Sequence, residues 1–410
     1  MRSCLELIRA YPRQLSFGFL HAFFSILGQT FLFAIFVPHM RESFQIDRMQ
    51  FGTIYSVATL GAASLLPFTG RLIDRVNLRA YSFVSGLILF AACWITAWAE
   101  WLPLLLLGIF GLRFSGHGLL AHVESTSISR YFGDRRGVAL GITSVGSSLG
   151  IALFPVAGVW LMSRFGWRTS YFLLGLSLLA VLFPLSFLLV RKKDDFQHPP
   201  ANPPPVWAGE APVPQMGRRE VLRSRYFYFV LPVMMFSSFF TSGFLFHQGS
   251  LSIYKGWNPQ WVAYFLVGFA VLTSLASFGI GPAVDRLTAK ALVPLHILPM
   301  GLGIFLLAMS NSAVAGALCY CLIGISLGVG RNIKSALWAE MYGTQHLGAI
   351  RGLFTSLVVV SAAVSPGFFG WMLNRGMDID GLLLAAVGLL AGAVALSYLA
   401  PDPRKAGGRL

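Results

Sequence analysis

Long apolar stretches alternate along the chain with short polar breaks. The stretches fall at 15–38, 51–69, 81–99, 103–128, 137–162, 170–190, 226–248, 259–280, 291–309, 313–338, 352–373 and 381–399. Each is close to the ~20 residues a helix needs to cross the hydrocarbon core of a bilayer. The pattern therefore predicts twelve membrane-spanning helices, with both termini on one side. Between the sixth and seventh stretches, residues 191–225 hold seven of the 21 prolines, the composition of a solvated, partly extended linker without its own core. The expected domains are a six-helix bundle at 1–190, a proline-rich linker at 191–225 and a second six-helix bundle at 226–410.

The halves repeat. "GRLIDRVNLR" (70–79) places Gly70, Asp74 and Arg75 where "GPAVDRLTAK" places Gly281, Asp285 and Arg286, an offset of 211 residues. At the same offset "PVAGVWLMSR" (155–164) meets "PGFFGWMLNR" (366–375), matching the Pro, the Trp and the final Arg. Two parallel, pseudo-symmetric halves with a site near the membrane midplane describe a transporter working by alternating access.

Composition agrees with lipid as the main solvent: 56% of residues are hydrophobic and 11% charged, against roughly 25% charged in soluble domains. The net charge of +15 raises the question of a nucleic-acid partner, and its distribution answers against one. Of the 31 Lys and Arg, 22 fall in segments on the side of the termini and six on the other. That bias predicts cytoplasmic termini, in a multi-pass protein of a bacterial inner membrane. The basic N-terminus is not followed by a short apolar core and a cleavage site, so the first stretch is expected to stay as a helix. Four cysteines form no disulfide framework, and Cys319-x-Cys321 inside an apolar stretch reads as helix packing. "GSSLG" (146–150) and "GISLGVG" (324–330) follow no strand; they read as small-residue seams between helices rather than nucleotide loops. Neither a metal constellation nor a nucleophile elbow is visible, so the chain is read as no enzyme, with no cofactor, no metal and no catalytic residue.

Ionisable groups inside spans are costly and mark function by default. Arg113 lies near the middle of the fourth span, with His117 one turn on. The tenth span carries Arg331, Lys334 and Glu340. Setting Glu124 opposite Glu340 puts Arg331 at the depth of residue 115, so one cation from each half would meet an anion near midplane. A structural role for Arg113, helix-end snorkelling for Lys334 and core packing for the histidines stand beside that reading. Gln29 and His247 are the polar candidates of the first and seventh spans. The substrate-binding set is thus Arg113, His117, Arg331, Lys334, Gln29 and His247, with protons as a further candidate partner through the histidines.

These residues resemble the major facilitator superfamily over nearly the whole chain. "GRLIDRVNLR" is similar to its box between helices 2 and 3, "LRFSGHG" (112–118) to its helix-4 Arg followed by small residues, and "GSSLGIALFP" to its Gly-rich, Pro-containing helix 5. "YFGDRRGVALGITSVGSSLG" (131–150) and "FGWRTSYF" (165–172) resemble the monocarboxylate and oxalate/formate branch. Two departures accompany that match: the first span lacks the branch's acidic-Gly-Gly-Trp element, and the eighth has no charged residue where the branch carries a substrate-binding Arg. The resemblance implies an all-α major facilitator fold and a secondary active transporter of a small organic anion, expected as a monomer in the lipid bilayer. Proton symport, uniport and exchange stay open, and proton-driven efflux of a drug or metabolite is the alternative. It also implies a gating latch, with Asp74 at the start of helix 11; symmetry between the halves then sets Asp285 at helix 5, and the expected partners are Arg75 or Arg79 with Glu124 and Arg286 with Glu340.

Overall fold

The computed structural model describes residues 2–69, 72–73, 76–132, 136–190, 216–280, 288–343 and 347–401. Every regular element among them is a helix. The first half runs through α1 (Arg2–Ala10), α2 (Pro12–Ser25), α3 (Thr30–Phe44), α4 (Arg48–Thr69), α5 (Leu78–Ala97), α6 (Leu102–Leu112), α7 (Ala121–Phe132), α8 (Arg136–Ser177) and α9 (Phe183–Leu189). After a short α10 (Arg218–Val221) come α11 (Arg225–Phe246), α12 (Gln248–Tyr254), α13 (Pro259–Gly279), α14 (Ala289–Leu292), α15 (Leu298–Ala308), α16 (Ala313–Tyr342), α17 (Leu347–Asn374) and α18 (Ile379–Tyr398).

Ten helical stretches among the described residues are long and apolar enough to span a membrane. One of them, Val138–Leu189, has 52 residues, more than twice what a ~30 Å core requires. It divides at Gly166, whose φ of 74° and ψ of 169° leave the helical region; a side chain there would strain the backbone, and glycine does not. The ninth predicted span is shorter than its apolar run, since turns precede α15. With those two adjustments the twelve-span pattern stands.

The chain divides into two compact units. The first comprises residues 1–205 with 245–250 and 262–267; the second holds 206–244, 251–261 and 268–410. Two short pieces of the seventh and eighth spans therefore group with the first unit, where the linker alone would have predicted a single cut.

Small residues set the closest helix contacts. A Cβ on Gly146 or Gly150 would run into the Phe19 or Phe23 carbonyl of α2, and one on Gly324 or Gly328 into the Phe269 or Thr273 carbonyl of α13. Backbones can approach this far only where side chains are missing. Each unit also uses a cation to cap a helix end. In the first, Arg168 Nη1 donates to the Ala97 and Ala99 carbonyls at 3.1 and 2.5 Å, at the end of α5. In the second, Lys255 Nζ donates to the Leu307 carbonyl (2.9 Å), the Ser310 carbonyl (3.3 Å), Asn311 Oδ1 (2.8 Å) and Asp380 Oδ1 (2.5 Å), just past the end of α15. The carbonyls left free at a helix C-terminus attract positive charge. The Lys255 side chain is wholly buried, so every partner is needed. Removing it by Lys255→Met leaves Asp380 facing open carbonyls, and an unfolding titration in detergent should show a loss of about 3–5 kcal/mol. Adding Asp380→Leu should recover part of that loss.

Candidate functional site: an opened first helix facing a π-turn

The first span is not one continuous helix. α2 ends at Ser25, Ile26–Gly28 form a 3-10 turn, Gln29 is extended (φ −91°, ψ 155°), and α3 restarts at Thr30. Irregular backbone at membrane depth persists only where protein or a water-filled cavity satisfies its polar groups. Here the Gln29 amide donates to the Ile26 carbonyl at 2.9 Å. The Gly28 carbonyl accepts from Arg113 Nη1 at 2.9 Å.

The facing segment of the fourth span is also irregular: Arg113–Leu120 form a π-turn between α6 and α7. Such turns are rare and concentrate at functional sites. Gly116 of this turn touches the broken helix directly. A Cβ on Gly116 would lie 2.6 Å from Gly28 Cα, and one on Gly28 2.8 Å from Gly116 Cα and into the Leu112 carbonyl. With both hydrogens in that contact, Arg113 meets the Gly28 carbonyl while His117 Nδ1 meets Gln29 Oε1 at 2.8 Å. Because that oxygen only accepts, Nδ1 is the donor in this contact.

Arg113 is buried, and its Nε has no hydrogen-bond partner. Its guanidinium centre lies 5.4 Å from the Tyr55 ring centroid. Tyr55 of α4 is held by a 2.6 Å hydrogen bond between its hydroxyl and Thr30 Oγ1. Beyond Tyr55 the wall is aromatic and packed: the Phe246 ring lies 4.6 Å from Tyr55 and 5.9 Å from Phe51. A guanidinium with an open N–H, an imidazole and an amide thus gather at one break in the first helix. That arrangement can hold an anion through charge-assisted hydrogen bonds.

Three predicted residues, Gln29, Arg113 and His117, come together here. His247 is buried at the break between α11 and α12, its ring edge-on to Phe246. Lys334, in the second unit, donates to Ser237 Oγ of α11 at 2.7 Å. Arg331 is helical, and its side chain lies outside the described residues, as do Asp74, Arg75, Asp285 and Arg286. Glu124 accepts from Thr143 Oγ1 at 2.5 Å, tying α7 to α8. Glu340 accepts from the Ala289 amide at 2.7 Å, at the first turn of α14. Arg79 does not reach Glu124: it sits in the first turn of α5, and its guanidinium lies over the Phe187 ring of α9, 3.4 Å from the centroid. Sequence reasoning passed over Tyr55, Gly28, Gly116 and Phe246. For the glycines a signal existed, since Gly28 precedes the polar pair Gln29-Thr30 and Gly116 follows Arg113 in a small-residue run. For the two aromatics none did, among 35 Phe and 12 Tyr.

The model of the Major Facilitator Superfamily matches residues 18–276. Monocarboxylate transporter 14 of Mus musculus is 21% identical over 90% of this chain and 86% of its own. The 3-(3-hydroxy-phenyl)propionate transporter of Escherichia coli (strain K12) is 24% identical over 87% and 86%. Of two further curated relatives, matched over shorter stretches, the chain spans 32% and 31% of the length. The crystal structure of a bacterial homologue of the human lysosomal transporter Spinster, inward-facing and unoccupied, superposes with a TM-score of 0.72 at 16% identity. The superposition covers 96% of this chain and 97% of that one.

The Gly28–Gly116 contact makes a direct prediction. Gly28→Ala drives a methyl into the facing backbone and should cost about 1–3 kcal/mol in detergent unfolding. Gly388→Ala in α18, where nothing lies within 4 Å, should leave stability equal or slightly higher.

Proposed function

Because the chain belongs to the Major Facilitator Superfamily, we propose that it is a secondary transporter carrying a small, monocarboxylate-like organic anion by alternating access. The observation that carries this reading is the buried Arg113 Nε, which has no protein partner beside the opened helix. A buried guanidinium favours an anion that completes its fork, and a carboxylate fits that fork in two-pronged fashion. Gln29 and His117 flank it as hydrogen-bonding groups. On the depth match drawn from the sequence, Arg331 is the second cation for that anion, with Lys334 beside it. Two relatives, each matched over 86% of its length, carry names that specify carboxylate cargo and point the same way.

The excess of Lys and Arg on the side of the termini favours cytoplasmic ends. The repeated boxes around Asp74 and Asp285 are then latches on the cytoplasmic side, each acid set against a helix N-terminus. The alternative, proton-driven efflux of a drug or metabolite, calls for an acid at the site. Glu124 instead holds Thr143.

Liposomes containing the purified protein test the reading with a panel of labelled monocarboxylates and dicarboxylates. At least one carboxylate should enter, and Arg113→Gln should slow it by about tenfold or more, the worth of a lost charge-assisted hydrogen bond. The internal pH of the same vesicles separates proton symport from uniport and exchange. Uptake of a cationic drug with no carboxylate flux would overturn the assignment.

A further inference from the structure

The second unit buries a histidine that the opened first helix does not use. His296 lies between α14 and α15 and is 3% exposed. Its Nδ1 donates to the Val293 carbonyl at 2.5 Å, and its Nε2 is buried with no hydrogen-bond partner. An imidazole anchored through Nδ1 in this way changes its charge at Nε2.

One face of α16 brings a cation to that ring. Ser326 Oγ accepts from the Met300 amide at 2.9 Å. One turn on, a Cβ at Gly330 would lie 2.7 Å from His296 Cδ2 and 3.2 Å from Nε2, so the ring rests against bare backbone. A further turn on, Lys334 stands on the same face. Its Nζ donates to Ser237 Oγ of α11 at 2.7 Å, a neutral acceptor, and the residue is partly exposed. Among the described residues Lys334 is the charged group that acts on His296. Residues 229–246 of α11 and the whole of α15 carry no titratable side chain. Glu340, farther along α16, accepts from the Ala289 amide, and Lys290 of α14 is partly exposed. The side chains of Arg331 on α16 and Arg351 on α17 lie outside the described residues. A proton added at Nε2 alone would set two like charges near each other with no anion between them. An anion beside Lys334 removes that obstacle.

We propose that His296 is the proton-binding residue of this carrier, taking up one proton at Nε2 when the transported anion sits beside Lys334. On the anion-transport reading above, this supplies the coupling ion and the residue that holds it. The new N–H bond forms at Nε2 as one breaks at Lys334 Nζ, and the amine regains its proton from water. A proton needs no cavity, so the buried ring is reached through the partly exposed lysine. The loaded site gains one negative and one positive charge, so its net charge equals that of the empty one, and anion and proton cross together.

Liposomes holding the full chain test this with labelled pyruvate, lactate, benzoate and 3-phenylpropionate in parallel, after subtracting uptake by protein-free liposomes. With the interior one pH unit more alkaline, at least one acid should accumulate about tenfold, the limit for one proton per anion. Trapped pyranine should report the accompanying acidification. His296→Gln keeps a donor for Val293 and does not titrate. It should lose accumulation and acidification, yet still exchange internal unlabelled for external labelled acid at equal pH, where the loaded carrier need not release its proton. If His296→Gln is inactive in both modes, His296→Asn, smaller against Gly330, is read the same way. Loss of exchange there too makes His296 a packing residue and overturns the assignment. Accumulation with acidification at the wild-type level in either variant also overturns it. Entry into wild-type liposomes without acidification defeats the coupling alone, whereas no entry of any acid defeats the transport reading beneath it.

Discussion

The geometry of the first unit turns on one exchange of unmet needs between the first and fourth spans. Opening a helix inside a membrane leaves a carbonyl without a donor, and burying an arginine leaves a guanidinium without an acceptor. Either alone is expensive in a medium with no water to repair it. The Gly28 carbonyl and Arg113 Nη1 meet each other's need at 2.9 Å. They meet only because Gly28 and Gly116 bring bare backbone against bare backbone. The π-turn then aims His117 at Gln29, the one extended residue between α2 and α3.

The Arg113 guanidinium is left incompletely used, which sets it apart from the cations that only cap helices. Arg168 and Lys255 show the contrast. Both cap helix ends, and Lys255 fills its donors with four oxygens. Such groups hold structure. Arg113 gives one hydrogen bond to a carbonyl, one face to Tyr55, and keeps a buried N–H in reserve. The fully packed aromatics beyond Tyr55 seal that side.

The two glutamates follow the logic of caps and braces. Glu340 sits at an amide of the first turn of α14, where an exposed N–H attracts negative charge, and Glu124 braces α7 against α8 through Thr143. Neither stands as a free acid in the first-helix break. Their location near helix ends was visible as sequence position. Their partners were not, because Ala289 and Thr143 offer no signal of their own along the chain.

Hydrophobic run length determined the twelve spans and the all-helical class, since a bilayer imposes a fixed length on every apolar helix. The helix-4 Arg with its small-residue neighbours marked Arg113 and His117. Tertiary structure alone decided that the first helix breaks at Gln29, that the fourth carries a π-turn, and that Arg79 turns to Phe187 rather than to Glu124. Those outcomes depend on which backbone faces which across a contact a few ångströms wide. Periodicity along one chain reports how a helix meets lipid, whereas the partner of an unpaired carbonyl or guanidinium is set by a residue 85 positions away.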